Sequence, residues 1–399
     1  MNPIIIIGTG LAGYTVAREF RKLDKTTPLT IVTGDDGGFY SKPMLSNAFA
    51  QGKQAAQLVT QTAVQMAAQI DATIVTATRV QHLDSRNKTV QTSAGEFTYD
   101  KLVIAVGAQP IRLAIDGDAA GDVLSVNNID DYAVFRARLA TPAARSARVT
   151  ILGAGLIGCE FADDLAGAAH QVTLVDPNAL PLAALASPAL CRGLHAALTT
   201  RGITLKLGTT AARIDHATDG YQVTLADGSV FETDLVLSAV GLRADTTLAQ
   251  EAALKTDRGI LVDITGQTSV ADIYAVGDCA EYTVDAHGLT RTLPYIAPLM
   301  AAARAIAKTL TGVTTAIDMR HAPVIVKTPS YPLALVPPAP PASASGAWHE
   351  SEEDGRVIAR FYDAQGTMIG FGVAPQESAV RQGLLAALGS ALADRMSAS

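Results

Sequence analysis

Cysteine is scarce in this chain of 399 residues, which contains only Cys159, Cys191 and Cys279. The three are scattered, so the chain has no Cys-x-x-Cys pair and no spacing typical of metal ligands. We therefore expect no metal site. The pattern is typical of a reducing compartment, in which thiols serve as small buried apolar groups.

Long apolar runs and net positive charge are also lacking. No stretch approaches the roughly 20 apolar residues that span a bilayer, and the apolar run at 4–7 follows no basic segment. The net charge of −7 argues against nucleic acid or an anionic membrane as the main partner. Charged residues make up only 17% and apolar residues 48%, which suits large buried cores. We expect a cytoplasmic protein, either a monomer or a weak dimer.

Two segments of the chain repeat one order of elements, a buried strand, a glycine-rich loop, a helix and a second strand. The strand, helix and strand are predicted at 4–7, 11–23 and 29–33, and again at 148–152, 156–168 and 171–175. Each segment is a βαβ unit of about 30 residues. Since the copies lie far apart in a chain too long for one core, they indicate two nucleotide-binding domains.

Both loops contain the pattern Gly-x-Gly-x-x-Gly, at Gly8, Gly10 and Gly13 and again at Gly153, Gly155 and Gly158. The first glycine makes a tight turn, the second lets the backbone approach a pyrophosphate, and the third lets the helix pack closely. The N-terminus of the helix then attracts phosphate. A single copy is weak evidence, but each copy here follows a strand and opens a helix. We expect each loop to bind a dinucleotide.

Acidic residues follow both units where a ribose is expected. Asp35 and Asp36 follow the first unit, and Asp176 follows the last strand of the second. A carboxylate there accepts both ribose hydroxyls and repels a 2′-phosphate, so Asp176 favours NADH over NADPH. The alternative for Asp176 is a surface turn before Pro177.

The remaining pattern predicts further strands and a different C-terminal third. Strands at 101–106, 235–240 and 272–276 each end at a glycine, and 337–347 is a Pro/Ala/Ser-rich loop. A hairpin at 356–362 and 368–373, around 363–366, precedes a helix at 377–393. These elements indicate a small α+β domain from about residue 320 onward.

Five sequence runs resemble a known group of proteins over essentially the whole chain. They are IGTGLAGY at 7–14, YSKPMLS at 40–46, LGAGLIGCEF at 152–161, IYAVGDCA at 273–280 and PVIVKTP at 323–329. The chain resembles the two-dinucleotide-binding flavoprotein reductases, and within them the rubredoxin–NAD reductases of bacterial alkane oxidation. The second and fifth runs are the ones specific to that subgroup.

The resemblance implies an α/β fold with two Rossmann-like domains, the FAD domain being split by an inserted NAD domain, plus a small C-terminal α+β domain. It implies an FAD domain at 1–114 and 245–319, an NAD domain at 115–244 and an acceptor-docking domain at 320–399. The second loop then binds NADH. The first loop binds FAD through Gly8, Thr9, Gly10, Leu11, Ala12 and Gly13.

Lys42 and Glu160 carry the chemistry that the resemblance implies. Both are expected beside the flavin ring, as an ion pair at the site of hydride transfer, where a lysine stabilises reduced flavin. From the residues alone, Lys42 could equally be a solvated lysine. Glu160 could equally be a glutamate favoured near a helix N-terminus by the dipole.

The resemblance also implies further FAD contacts. Asp278 accepts a bond from the ribityl chain and Gly277 allows close approach, although a loop aspartate capping a turn is the alternative for Asp278. The helix predicted at 297–310 points its N-terminus at the flavin, with Ile296 as the backbone contact. Lys327 reaches the flavin unless it is an exposed strand lysine, and the backbone of Val80 contacts the adenine.

The absence of cysteine after the first glycine loop argues against a thiol relay. Disulfide reductases of this shape need a cysteine pair after the FAD loop, and related oxidases and peroxidases need one cysteine there. This chain has none before Cys159. We therefore expect hydride from NADH to reach FAD and single electrons to leave directly for rubredoxin. The alternatives are a ferredoxin reductase with the same chemistry and a signalling flavoprotein that binds FAD and NADH without turnover.

Overall fold

The structure, a computed structural model, describes residues 2–140, 146–284, 288–319, 321–338 and 345–391. Its strands are β1 (Ile4–Ile7), β2 (Leu29–Val32), β3 (Phe39–Tyr40), β4 (Val59–Gln61), β5 (Thr73–Val75), β6 (Val80–Asp84), β7 (Thr89–Thr92), β8 (Gly95–Thr98), β9 (Lys101–Ile104), β10 (Ala108–Pro110), β11 (Arg148–Leu152), β12 (Gln171–Asp176), β13 (Thr204–Leu207), β14 (Ala211–Ala217), β15 (Gly220–Leu225), β16 (Val230–Thr233), β17 (Leu235–Ser238), β18 (Leu242–Ala244), β19 (Ile260–Val262), β20 (Ile273–Ala275), β21 (Ala280–Thr283), β22 (Thr290–Thr292), β23 (Val324–Val326), β24 (Leu333–Val336), β25 (Ala347–Glu353), β26 (Arg356–Tyr362) and β27 (Met368–Ala374).

The α-helices are α1 (Leu11–Leu23), α2 (Ala55–Leu58), α3 (Ala63–Ile70), α4 (Ile129–Leu139), α5 (Leu156–Gly167), α6 (Pro188–Thr200), α7 (Thr247–Glu251), α8 (Ile296–Leu310) and α9 (Ser378–Ala386). Short 3-10 helices occur at Lys42–Asn47, Ala120–Asp122 and Gly277–Cys279. Within the described ranges, none of the helices is long and apolar enough to cross a bilayer.

The chain forms two compact units. Unit 1 comprises Met1–Lys42, Ala56–Ile111 and Leu242–Arg320, and unit 2 comprises Pro43–Ala55, Arg112–Gly241 and His321–Ser399. The short segment Pro43–Ala55 thus belongs to a different unit from the residues on either side of it. The division into domains at 1–114, 115–244, 245–319 and 320–399 stays a prediction.

Unit 1 is built on a parallel sheet in the order β20-β9-β1-β2-β5. The β-branched strand β1 lies in its middle, where both faces are covered, and all four of its isoleucines are buried. Helices α1 and α8 pack against each other on this sheet. Strand β20, which is distant in sequence, pairs with β9 and so completes the first sheet.

Unit 2 contains a parallel sheet in the order β13-β12-β11-β17 and an antiparallel sheet in the order β14-β15-β16. Its C-terminal part is a five-stranded antiparallel sheet, β23-β24-β27-β26-β25, against which α9 packs its one buried leucine, Leu384. The predicted fold class is therefore confirmed: two Rossmann-like folds, the first interrupted by the second, and a small C-terminal α+β fold.

Some predicted elements end elsewhere in the structure. Strand β9 ends at Ile104, two residues early, and the chain forms the short strand β10 after Gly107. Helix α9 ends at Ala386, since Gly389 shortly after it has φ +86°; the end predicted at residue 393 lies outside the described residues. The predicted loop 337–347 overlaps β25 by one residue, and its residues 339–344 also lie outside.

Candidate functional site

The glycines of the first loop differ in the space around them. A Cβ atom on Gly13 would lie 2.0 Å from the carbonyl oxygen of Gly8, and one on Gly8 would lie 2.4 Å from that of Ala105. A Cβ on Gly10 would meet no atom within 4 Å. Packing therefore requires glycine at Gly8 and Gly13, whereas at Gly10 the open space suits a closely approaching pyrophosphate.

Helix α1 begins directly after this loop, and its N-terminus has no side-chain cap. Its N-cap, Gly10, makes no side-chain cap, and the first turn holds no acidic residue. Free N–H groups and the helix dipole at this point attract phosphate. Leu11 and Ala12 open the helix, so the predicted FAD-loop residues lie where a phosphate-binding turn needs them.

A hydrogen-bond network ties Asp35 to the same loop. Oδ1 of Asp35 accepts from Thr9 Oγ1 at 2.9 Å, from Thr33 Oγ1 at 2.6 Å and from the Gly37 amide at 2.9 Å. Asp36 instead accepts from the Gly38 amide at 2.8 Å. Asp35 is thus the acid held against the glycine loop, and the ribose role of both acids stays a prediction.

Gly277 and Asp278 lie beside α1 in unit 1. A Cβ on Gly277, whose φ is +81°, would lie 2.9 Å from the Cβ of Ala12 and 3.7 Å from Cδ1 of Leu299 in α8. Asp278 Oδ2 lies 4.0 Å from Lys42 Nζ. The fold therefore assembles three predicted FAD residues, Ala12, Gly277 and Asp278, together with Lys42.

Helix α8 contributes a second uncapped N-terminus to unit 1. It begins at Ile296, whose side chain is exposed, and its N-cap Tyr295 makes no side-chain cap. The first turn has no acidic residue, which leaves its positive end available to an anion. Val80 opens β6 opposite Thr92. The flavin contact of Ile296 and the adenine contact of Val80 stay predictions.

The second glycine loop repeats the geometry of the first. A Cβ on Gly158 would lie 1.8 Å from the Gly153 carbonyl oxygen, and one on Gly153 would lie 2.8 Å from that of Ala239. A Cβ on Gly155 would again meet no atom within 4 Å. Helix α5 then begins without a side-chain cap. Both loops therefore fit a bound pyrophosphate by the same criterion.

Asp176 is held by protein donors at the end of β12. Its Oδ2 accepts from the Ala154 amide at 2.6 Å, and its Oδ1 accepts from the amide and the Nδ2 of Asn178, both at 2.8 Å. The carboxylate is buried. It therefore forms a turn with Asn178, but a buried one and not the surface turn of the alternative, and it also accepts from the glycine loop. The ribose contact stays a prediction.

The buried carboxylate of Glu160 accepts three hydrogen bonds. Its Oε1 accepts from the backbone amide of Lys327 at 3.0 Å, and its Oε2 accepts from Lys327 Nζ at 2.7 Å and from Ser46 Oγ. Lys327 Nζ also donates to the Pro43 carbonyl at 2.8 Å. The structure therefore pairs Glu160 with Lys327, two of the predicted flavin-side residues. The pairing of Glu160 with Lys42 stays a prediction.

Two further acids on α5 were missed by sequence reasoning. Asp163 is fully buried and accepts from the amide and the hydroxyl of Ser330 at 2.9 and 2.8 Å. Asp164 accepts from the Phe49 amide at 2.7 Å. Residues 160, 163 and 164 follow the spacing that places side chains on one helical face. Three acids at this spacing in an otherwise apolar helix were the available signal.

The three cysteines are all buried and free, as predicted. Burial raises the pKa of Cys191 and of Cys279 to about 11 and raises the pKa of Cys159 further still. A thiol at these pKa values carries almost no thiolate near neutral pH. None of them is therefore a reactive thiol.

Each unit has one loop that fits a pyrophosphate, and comparison with known proteins decides the family. The family described as pyridine nucleotide-disulphide oxidoreductase matches residues 2–307. The chain belongs to this family. A second description, rubredoxin binding C-terminal domain, matches residues 316–388. The prediction of an oxidoreductase that uses FAD and NADH is thereby confirmed.

Full-length relatives of this oxidoreductase support the same assignment. The rubredoxin-NAD(+) reductase of Alcanivorax borkumensis is 45% identical over 93% of this chain and 94% of its own length. That of Acinetobacter baylyi is 42% identical, covering 93% of each chain. The fold matches that in the covalent putidaredoxin reductase–putidaredoxin complex, with a TM-score of 0.86 at 24% identity, covering 98% and 94%. The resemblance drawn from the motifs is confirmed.

Proposed function

We propose that this chain takes hydride from NADH on FAD and passes single electrons to rubredoxin. The observation that carries the proposal is the joint presence of the two family matches in one chain. Residues 2–307 supply the dinucleotide folds, and residues 316–388 match a rubredoxin-binding domain. Relatives that match over 93% of this chain bear the name rubredoxin-NAD(+) reductase.

FAD, when bound, supplies the conversion of a two-electron hydride into single electrons. The residues of the chain bind and orient it. The uncapped ends of α1 and α8 would stabilise negative charge on the pyrophosphate and on the flavin. Lys42, beside Asp278, and Lys327, beside Glu160, would provide positive charge toward the flavin. The loop before α5 would hold NADH, with Asp176 as the acid for its ribose.

Electrons leave the flavin directly, without a thiol relay. The chain has three cysteines, and each is buried with a raised pKa. A thiol relay requires an accessible cysteine of low pKa. We also propose a cytoplasmic location, since the free thiols of this chain suit a reducing compartment. The rubredoxin would supply electrons to alkane hydroxylation or to another rubredoxin-dependent pathway.

Anaerobic kinetics with two protein acceptors test the proposal. The purified, FAD-loaded chain is mixed with NADH and with either rubredoxin or a [2Fe–2S] ferredoxin. We expect kcat/KM for rubredoxin to exceed that for ferredoxin by about tenfold or more, which corresponds to about 1.4 kcal/mol in the transition state. NADPH in place of NADH is expected to be slower, because Asp176 repels a 2′-phosphate.

Each other outcome supports a different function. Ferredoxin turnover as fast as rubredoxin turnover would identify a ferredoxin reductase instead. Slow turnover with both acceptors, despite rapid flavin reduction by NADH, would favour a signalling flavoprotein that binds FAD and NADH.

A further inference from the structure

Helix α5 holds the segment after β23 at two points. Glu160 binds the backbone amide and the ammonium of Lys327, while Asp163, three residues further along α5, binds the amide and hydroxyl of Ser330. We propose that Asp163 is a positioning residue, which holds the turn after Lys327 so that this ammonium stays fixed on Glu160. The proposal rests on the placement of Lys327 beside the flavin in the proposed function.

The segment between the two contacts is a closed turn. The Tyr331 amide donates to the carbonyl of Thr328 at 3.0 Å, and Thr328 Oγ1 donates to the Tyr331 carbonyl at 2.8 Å. Pro329 restricts the backbone within this turn. A shift of Ser330 would therefore be transmitted along the chain to Lys327 and not absorbed by a flexible loop.

The ammonium of Lys327 has a defined direction. Two of its three N–H donors are taken, by Glu160 Oε2 at 2.7 Å and the Pro43 carbonyl at 2.8 Å. The two acceptors leave one donor, which in the proposed function would be directed at the flavin. The Lys327 amide donates to the Oε1 of the same carboxylate at 3.0 Å, so both the backbone and the ammonium of this residue are held on Glu160.

Burial and its hydrogen-bond and ion-pair partners hold Asp163 in one position. It is fully buried, and Arg201 Nε lies 3.2 Å from its Oδ1, which offsets the charge of the buried carboxylate. Its Oδ2 accepts both bonds from Ser330. Since Glu160 and Asp163 share one face of a rigid helix, their separation sets the distance between the two ends of the turn.

The sign of the flavin potential distinguishes this role from a direct charge effect. Removing a nearby carboxylate raises the midpoint potential of a flavin that becomes anionic on reduction. Displacing a nearby ammonium lowers it. If Asp163 acts by positioning Lys327, its loss lowers the potential, as Lys327→Met does.

The experiment measures the flavin midpoint potential and the single-turnover rate of flavin reduction by NADH. The variants are Asp163→Ala, Ser330→Ala and Lys327→Met, with each of the first two also combined with the third. We expect Asp163→Ala to lower the potential and to slow reduction about tenfold, and Ser330→Ala to act in the same direction about threefold. In the Lys327→Met background neither is expected to add a further change.

Asp234→Ala is the matched control. The side chain of Asp234 is only 8% exposed, accepts from the backbone amide of Arg148 and pairs with the guanidinium of the same arginine, but it does not belong to α5. We expect this control to leave the potential and the reduction rate unchanged. It separates the loss of a buried acid in general from the loss of this one.

Several results would overturn the positioning role. These are a raised potential in Asp163→Ala, an undiminished effect of either substitution when Lys327 is already methionine, and no effect of Lys327→Met itself. If Asp163→Ala does not retain FAD, the potential and the reduction rate of Ser330→Ala test the positioning role. That variant loses one hydroxyl and no charge. Failure of the proposed function is distinct: the wild-type flavin would then be reduced by NADH without reducing rubredoxin.

Discussion

Some glycines in the two loops are required for packing and others for ligand binding. The space around each Cα distinguishes them. Gly13 faces the carbonyl of Gly8 so closely that no side chain fits. Gly10 faces open space, so that only a ligand needs glycine there. At this scale folding and binding can therefore be tested by two alanines three residues apart.

We expect Gly13→Ala to lower the stability of the fold and Gly10→Ala to weaken FAD binding. Gly13→Ala forces a Cβ to 2.0 Å from a backbone oxygen, so we expect a lower melting temperature of the apoprotein, with a cost of about 1–3 kcal/mol. Gly10→Ala is expected to leave that temperature unchanged while weakening FAD binding about tenfold or more. Thermal unfolding of the apoprotein and FAD titration measure the two. Equal loss of stability in both variants would contradict this.

Helix α5 is the element on which most of the candidate site in unit 2 depends. Three acids on one of its faces, Glu160, Asp163 and Asp164, hold two distant parts of the chain. Glu160 and Asp163 hold the turn at 327–330, and Asp164 holds the segment at 49–50. A single helix thus places the residues around Lys327 relative to one another.

Asp164 makes the stability of this element depend on pH. Burial raises its pKa, against the opposing effect of hydrogen bonds from the Phe49 and Ala50 amides. Because the folded-state pKa lies above the ordinary value of 3.8, protonation stabilises the folded chain. That contribution is complete below the ordinary pKa and is lost as pH rises through the raised one.

Asp164→Asn removes this titration. We therefore expect the wild-type melting temperature, relative to that of the variant, to fall as pH rises from the ordinary pKa of 3.8 through the raised pKa. Asp227→Asn is the control of opposite sign, because hydrogen bonds from Ser229 lower the pKa of Asp227, so its contribution is lost as pH falls. A difference for Asp164→Asn that stays constant across this window would show that its pKa is not raised.

At the scale of the whole molecule, the predicted FAD residues other than Glu160 and Lys327 fall in unit 1. These residues are Gly8, Thr9, Gly10, Leu11, Ala12, Gly13, Asp35, Asp36, Lys42, Val80, Gly277, Asp278 and Ile296. Their unit is assembled from three stretches of chain, with β20 returning to pair with β9. A ligand on these residues stabilises unit 1 by mass action.

Removal of FAD is expected to act mainly on unit 1. At a ligand concentration of about 100 times Kd, binding contributes about 2.7 kcal/mol. Amide exchange in β1, α1 and β20 is therefore expected to accelerate about 100-fold in the apoprotein, while β24, β26 and β27 keep their protection. Hydrogen exchange read by mass spectrometry measures both sets. Equal acceleration in the two sets would show that FAD stabilises the chain as one cooperative unit.

The elements predicted best from the sequence are those whose signals are local. Strand β1, the loop and α1 follow from four consecutive isoleucines, three spaced glycines and an apolar helical period. Strand β25 was missed, because its residues from Ala347 to Glu353 are mostly polar and lie at the edge of a sheet. Edge strands lack the apolar alternation on which such a prediction depends.

The sequence by itself determined that two Gly-x-Gly-x-x-Gly loops are present, predicted electron transfer without a thiol relay and indicated the family that the comparisons then showed. These features depend on residue type and short spacing, which chain order preserves. Only the tertiary structure decided that Glu160 binds Lys327, 167 residues away, and that Asp163 binds Ser330. Such pairs form where helix and turn pack, and their partners cannot be deduced from the spacing of either residue along the chain.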